Sequence, residues 1–148
     1  MNAPAFCLSS AGAFFLVGLA SGAWKYLRIR RSPDVRAPLY VDLAHRSALL
    51  YAFAGVLLAQ LCERSVWPDG VNLRATMVLQ VFFATSVIAY VVHGALGDTD
   101  NQFRRPHRLG RRTIPAGAMT GFMIALILAE VSAFLVVFSG YLLAAWCG

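Results

Sequence analysis

The sequence predicts an all-α integral membrane protein that folds as a polytopic four-helix bundle. Of its 148 residues, 59% are hydrophobic and only 14% are charged, and the mean hydropathy is +0.64. The charges fall in blocks that separate four long apolar stretches. A soluble domain of this size is less apolar, so we expect a single transmembrane domain.

Four stretches are long enough to cross a bilayer core of about 30 Å, which takes roughly 20 helical residues. They are residues 3–24, 38–62, 75–96 and 114–146. The first has no Lys or Arg before its apolar run and exceeds the usual core of a secretory signal, so we expect a permanent span. The fourth exceeds one crossing, which predicts a tilted helix or first turns that lie in the interface.

Loop charge predicts the orientation of the bundle. Ten of the 13 basic residues lie between Lys25 and Arg36 or between Arg104 and Arg112, whereas the second connection is balanced. The positive-inside rule then places the first and third connections in the cytoplasm and both termini outside the cell (inner) membrane. That rule and anionic lipids account for the net charge of +6, so no nucleic-acid partner is expected.

Three cysteines, Cys7, Cys62 and Cys147, fall near the outer face in this orientation. An oxidising compartment permits one disulfide among three thiols. The alternative, which we favour, is that they are small hydrophobic residues buried at helix ends.

Gly18 and Gly22 form a pair of small residues four positions apart on the first helix. Such a pair allows the backbone of another helix to approach closely. The sequence leaves open whether that helix belongs to the same subunit or to a second copy.

Polar side chains begin on the cytoplasmic half of the second helix, at Asp42, His45 and Arg46, and Tyr51 follows near mid-depth. Facing lipid they would be costly, so this side must face the bundle, water or a bound group. Asp42 and His45 are i,i+3 neighbours and can hydrogen-bond, which would fix the imidazole tautomer. Arg46 either snorkels to the interface or contacts an anionic group.

The third helix carries a polar stripe. Its members project within about 60° of one another on a helix that turns about 100° per residue, and they are Ser86, Tyr90, His93 and Gly97. We expect a cytoplasmic-end cluster of His45, Arg46, His93, Asp98 and Asn101. Each histidine is either a packing residue or a metal ligand, and the neighbouring acids make the alternatives comparable. His107, in the basic connection, is expected to be solvated.

Glu130 is the one charged residue after Arg112, in the middle of the fourth span. Burying an ionised carboxylate in hydrocarbon costs several kcal/mol, so a residue at this depth is a functional or partnered site. On its own helix face it has apolar neighbours, and we expect it to be protonated. Its partner must therefore come from another helix, and the groups at compatible depth are Tyr51, Ser86 and Tyr90.

Three features together resemble the small four-helix membrane isomerases typified by styrene oxide isomerase and hydroxylaminobenzene mutase. They are His45 followed by a long apolar run, Tyr90 at its separation from that histidine, and the segment Asn101-Gln102-Phe103. The likeness covers residues 39–143 and rests on the helix plan and these positions. The chain departs from the family at Tyr51, where the family carries asparagine, and it lacks the charged terminal tails.

The resemblance implies a function. In the styrene oxide isomerases the corresponding histidine is the axial ligand of a b-type haem at a trimer interface, and ferric iron acts as a Lewis acid on the epoxide. It implies here that His45 is the metal ligand, that Tyr90 lines the pocket of a hydrophobic small-molecule substrate, and that the protein is a homo-oligomer, with a trimer as the family's form. We add Arg46 to the cofactor site, and Tyr51, Glu130 and His93 to Tyr90 as catalytic candidates.

Three other functions remain open. One is a haem-carrying electron-transfer subunit in which His45 and His93 are both axial ligands, which would close both faces of the iron. Another is a haem-free accessory subunit of a larger membrane complex. The last is a proton or ion pathway through His93, Tyr90 and Glu130.

Reporter fusions test the orientation. Because ten of the 13 basic residues lie in the first and third connections, we expect reporters at both termini to give extracytoplasmic signals. A cytoplasmic signal from the N-terminal fusion would show that packing or partners override the charge bias.

Overall fold

Four long α-helices dominate the computed structural model, which describes residues 1–147. They are α1 (Ala3–Arg30), α2 (Leu39–Glu63), α3 (Asp69–Leu96) and α4 (Ala116–Cys147). Each is long and apolar enough to cross a membrane. The prediction of an all-helical protein with four membrane spans is therefore confirmed.

Two helices extend beyond their predicted spans. Helix α1 continues past Trp24 to Arg30, and α3 begins at Asp69 rather than at residue 75. The extra turns carry charged side chains, which hydropathy assigns to loops although a helix can continue into the interface. Asp69 stabilises the first turn of α3, and its carboxylate also accepts a hydrogen bond from the Ala3 amide at 2.8 Å.

A short antiparallel hairpin lies between α3 and α4, in the segment that the sequence analysis treated only as a basic connection. It consists of β1 (His107–Leu109) and β2 (Arg112–Ile114), and Leu109 pairs with Arg112 across a two-residue turn. Gly110 begins that turn with φ of 59°, a left-handed conformation that glycine adopts without strain. The third connection is therefore an ordered structural element.

Helices α2 and α3 form the central pair of the bundle, with α1 packed mainly on α2 and α4 packed mainly on α3. The α1–α2 contact is close because small residues line it. A Cβ on Gly55 would lie 2.9 Å from Ala11 Cβ, and one on Gly18 would lie 2.5 Å from a Leu49 methyl group. The Gly18 and Gly22 pair thus packs within the subunit, which resolves the alternative left open by the sequence.

One core cluster joins all four helices at the end that holds both termini. It includes Cys7, Cys62, Leu79 and Val137. Both cysteines are buried free thiols, in agreement with a packing role, whereas the side chain of Cys147 lies outside the described residues. Away from this core the helices expose large apolar side chains such as Phe53 and Leu128, a surface compatible with lipid.

Gly55→Leu tests the α1–α2 contact. A larger side chain would collide with the α1 backbone, because Ala11 Cα and the Cys7 carbonyl oxygen both lie 3.2 Å from the position of the added Cβ. We expect a loss of about 1–3 kcal/mol, the usual cost of overpacking, measured by unfolding in detergent.

Gly12→Leu is the matched control, because a Cβ there meets nothing within 4 Å. Equal destabilisation by both substitutions would contradict the close contact described for Gly55.

Candidate functional site

His45 is held against α1 by a hydrogen bond to backbone. Its Nδ1 lies 2.8 Å from the Gly18 carbonyl oxygen. Because a carbonyl oxygen only accepts, Nδ1 carries the proton, and the lone pair of the neutral ring lies on Nε2. The ring edge also packs on Gly22, where an added Cβ would lie 2.9 Å from Cε1. The tautomer and the position of the imidazole are therefore fixed, and Nε2 is the ring nitrogen that carries a lone pair and has no partner among the described residues.

The expected bond between Asp42 and His45 is not formed. The Asp42 carboxylate instead makes an ion pair with Lys25 of α1 and a longer one, 3.4 Å, with Arg46. Competition from a cation explains this choice, since charged hydrogen bonds are the stronger ones. Arg46 has 67% of its side chain exposed, so its guanidinium lies on the outside of the bundle.

His93 makes a buried pair with Asp98. Its Nδ1 lies 2.8 Å from Asp98 Oδ1, and the two side chains are only 5% and 6% exposed. The ring of Tyr40 packs on the imidazole with 5.0 Å between centroids. This carboxylate–imidazole arrangement orients the ring and, in its neutral form, leaves Nε2 as the acceptor.

Asp98 also connects α3 to the hairpin, because its other carboxylate oxygen accepts a hydrogen bond from the Gly110 amide. Burial raises the pKa of the Asp98 carboxyl, but the hydrogen bonds from Gly110 and His93 outweigh that effect and hold the pKa below its ordinary value. Asp98 is therefore ionised at neutral pH.

Two expectations for the connection are wrong. His107 is buried, not solvated, because it starts β1 and its Nδ1 lies 3.1 Å from the Gln102 carbonyl oxygen. Asn101 is exposed and does not join the interior cluster, since its side chain accepts the Phe103 amide in a local turn. The neighbouring Gln102 amide donates to the Tyr40 hydroxyl at 2.6 Å, which attaches the connection to α2.

A cavity of about 590 Å³ opens at the end of the bundle that carries the third connection. His93 and Asp98 form part of its wall, as do the first turn of α2 at Leu39 and Tyr40 and several arginines of the connection. His45 and Arg46 do not line it. The single cytoplasmic-end cluster expected from the sequence is therefore two separate places, one around His45 and one around His93.

Polar groups also meet in the middle of the bundle. Tyr51 stacks on Phe83 with 4.2 Å between ring centroids, and its hydroxyl lies beside Ser86, with Tyr90 and Glu130 as its ionisable neighbours. The predicted catalytic residues Tyr51, Tyr90 and Glu130 thus share one region. Tyr90 also stacks near Tyr40, 6.0 Å away, and so lies between this region and His93.

Glu130 has no hydrogen-bond partner among the described residues, although its Oε1 atom is buried. It lines an apolar crevice of about 360 Å³ between α2, α3 and α4, together with Leu58, Phe83 and Phe134. The expectation of a partner on another helix is wrong for this single chain. Tyr51 is near, but no hydrogen bond joins it to Glu130 Oε1.

Gln80 is a polar site that the sequence analysis missed. It is 5% exposed, and neither its amide oxygen nor its amide nitrogen has a partner within the described chain. It lines an apolar groove of about 410 Å³ between α1 and α3, which extends to Val17, the residue before Gly18. The depth argument applied to Glu130 would have found it, since Gln80 also interrupts a long apolar run.

The described residues contain no group of three or more His, Cys, Asp or Glu side chains that could hold a bare metal ion. A haem iron has a smaller requirement, because the porphyrin supplies four nitrogens and the protein one or two axial ligands. Both His45 and His93 hold Nδ1 in a hydrogen bond, which leaves the Nε2 atom of each ring as a candidate ligand.

Glu130→Leu tests whether the buried carboxyl lacks a hydrogen-bond partner in the assembled protein. If nothing compensates its buried oxygen, the apolar side chain removes an unsatisfied polar atom, and we expect stability in detergent to rise by about 1–3 kcal/mol. Glu130→Gln, which keeps a buried polar group, should show no such gain. A clear loss of stability in the Leu variant would show that a ligand, water or another subunit holds the carboxyl.

No family model, curated protein or solved structure matches this chain.

Proposed function

We propose that the protein is a membrane-embedded isomerase that depends on haem b and acts on a hydrophobic epoxide or hydroxylamine-type substrate, with His45 as the iron ligand. The observation that carries the proposal is the 2.8 Å hydrogen bond from His45 Nδ1 to the Gly18 carbonyl. Histidines that bind metals usually donate their other ring N–H in this way, to a backbone carbonyl or carboxylate.

The residues around His45 fit a haem ligand site. The ring is half-buried, and its Nε2 has no hydrogen-bond partner among the described residues. Gly22, which has no side chain, leaves room for the edge of the ring. Arg46 is the next residue and is exposed at the basic end of α2, where a guanidinium is suited to a haem propionate. One protein nitrogen as ligand leaves the second iron face open for substrate.

What a bound haem b supplies is a ferric Lewis acid that polarises the substrate oxygen without redox turnover. The chain's own contribution is a dry environment with a few polar groups. The Tyr51 and Tyr90 hydroxyls can orient substrate or donate a proton, and Glu130 Oε1 has no hydrogen-bond partner among residues 1–147. A location within lipid also suits a substrate that partitions there and shields a reactive cation from water.

Assembly and orientation complete the proposal. We propose a homo-oligomer, with the trimer as the form that the family resemblance implies. We place the protein in the cell (inner) membrane with its basic connections in the cytoplasm and both termini outside.

The surroundings of the two histidines favour a single ligand over bis-histidine ligation. His45 packs on Gly18 and Gly22 of α1, whereas His93 packs on Tyr40 and is bonded to Asp98 under the hairpin. Bis-histidine ligation would need both histidines at one haem, whereas the two rings are held against different elements. The electron-transfer alternative is therefore the weaker one.

Haem content tests the ligand. We expect the purified protein to show a Soret band that His45→Ala abolishes, while His93→Ala, which removes a side chain of the separate cavity, retains it. Haem lost from the His93 variant and kept in the His45 variant would reverse the assignment.

Turnover tests the reaction separately. Detergent-purified protein is incubated with an aryl epoxide, and carbonyl product is quantified by gas chromatography. We expect product from wild type and at least a 100-fold loss in Tyr90→Phe if its hydroxyl moves a proton, since general acid–base groups contribute roughly 10²–10⁴-fold. If the protein binds haem but converts neither epoxides nor hydroxylamines, the haem-binding assignment stands and the isomerase assignment is contradicted.

A further inference from the structure

The cavity beside His93 has the composition of an anion site. Three arginines of the third connection line it, together with two aspartates. Both aspartates are engaged, because Asp98 is bonded to His93 and Gly110, and Asp100 pairs with Arg104 at 3.1 Å. The other two guanidiniums, Arg105 and Arg108, make no ion pair within residues 1–147. Two uncommitted positive charges therefore border the cavity.

The start of α2 forms another part of the same wall. Pro38 is the N-cap, and no side-chain hydrogen bond caps the helix. Leu39 and Tyr40 are the first helical residues and line the cavity, and the first amides of a helix have no partner inside it. The helix dipole favours an anion at this end.

The imidazole provides the third element. Asp98 fixes the His93 ring through Nδ1, and His93 is one of the residues that line the cavity. A neutral Nε2 can accept a hydrogen bond from a protonated phosphate oxygen, and a protonated Nε2–H can donate one to an ionised oxygen. Guanidinium forks, backbone amides and an oriented imidazole are together the donors that bind phosphate oxygens.

We propose that this cavity binds a phosphate-bearing group, either the headgroup of a membrane amphiphile or a free phosphate ester. The cavity lies at the basic end of the bundle, where the apolar spans finish, so a bound phosphate would be at the level of lipid headgroups. With about 590 Å³ it has room for a phosphate and a small polar substituent. This proposal does not depend on haem at His45, because no residue of the His45 site lines this cavity.

Two other arginines of the third connection provide a control for nonspecific electrostatic binding of anions. Arg111 and Arg112 belong to the same connection, are exposed, and do not line the cavity. If the arginines serve only orientation or general attraction to anionic lipid, removal of either pair should have equal effects. A phosphate site requires the pair Arg105 and Arg108 specifically.

The test compares two double variants, Arg105→Gln with Arg108→Gln and Arg111→Gln with Arg112→Gln, alongside wild type. Inorganic phosphate is titrated into detergent-purified protein by calorimetry, and nanodiscs containing phosphatidic acid or phosphatidylcholine are compared by lipid co-purification and native mass spectrometry. We expect the first pair to weaken binding roughly tenfold or more and the second to leave it near wild type. Haem content is measured in the same samples and should not change.

The outcomes separate the sources of phosphate. Saturable binding of inorganic phosphate without lipid preference identifies a free phosphate ester, whereas enrichment of phosphatidic acid over phosphatidylcholine identifies a headgroup. Equal losses in both double variants, or no binding of either probe to wild type, would overturn the proposal. A failure of haem binding at His45 would leave these results unaffected.

Discussion

The close approach of α1 to α2 is the constraint on which the rest of the structure depends. Small residues at Ala11, Gly18 and Gly55 let the two backbones come within a side chain's width of each other. Only at that separation can the His45 ring reach the Gly18 carbonyl of the neighbouring helix. In lipid, where apolar side chains gain nothing from leaving water, such packing and such interhelical hydrogen bonds drive association.

Asp98 has a comparable role at the basic end of the bundle. It accepts hydrogen bonds from an α3 side chain and from the hairpin backbone, and so joins the last turn of α3 to β1 and β2. The Tyr40 hydroxyl joins α2 to the same connection through Gln102. A strongly basic segment is thereby folded into a defined wall, which includes Arg104, Arg105 and Arg108 of its five arginines.

The sequence predicts the spans well because hydropathy measures the property that a bilayer selects. It does not predict which faces meet, since membrane helices are apolar on all sides and periodicity no longer separates inside from outside. The sequence therefore predicts a close contact at Gly18 and Gly22 without identifying its partner, and it does not predict the bond from His45 to Gly18, 27 residues away. The burial of His107 depends on the hairpin, and the isolation of Glu130 depends on which helices adjoin α4. The residues next to His107 and Glu130 in the sequence therefore do not predict either environment.

The most direct test of the proposed haem site is to measure whether the purified protein binds haem and how many protein ligands the haem iron has. An electron paramagnetic resonance spectrum of the purified, oxidised wild-type protein reports both whether haem is present and how many strong protein ligands it has. The account predicts a high-spin ferric haem signal, as expected for iron with one histidine nitrogen and an open or weakly occupied face. Absence of a haem signal, or a low-spin signal from two histidine ligands, would contradict it.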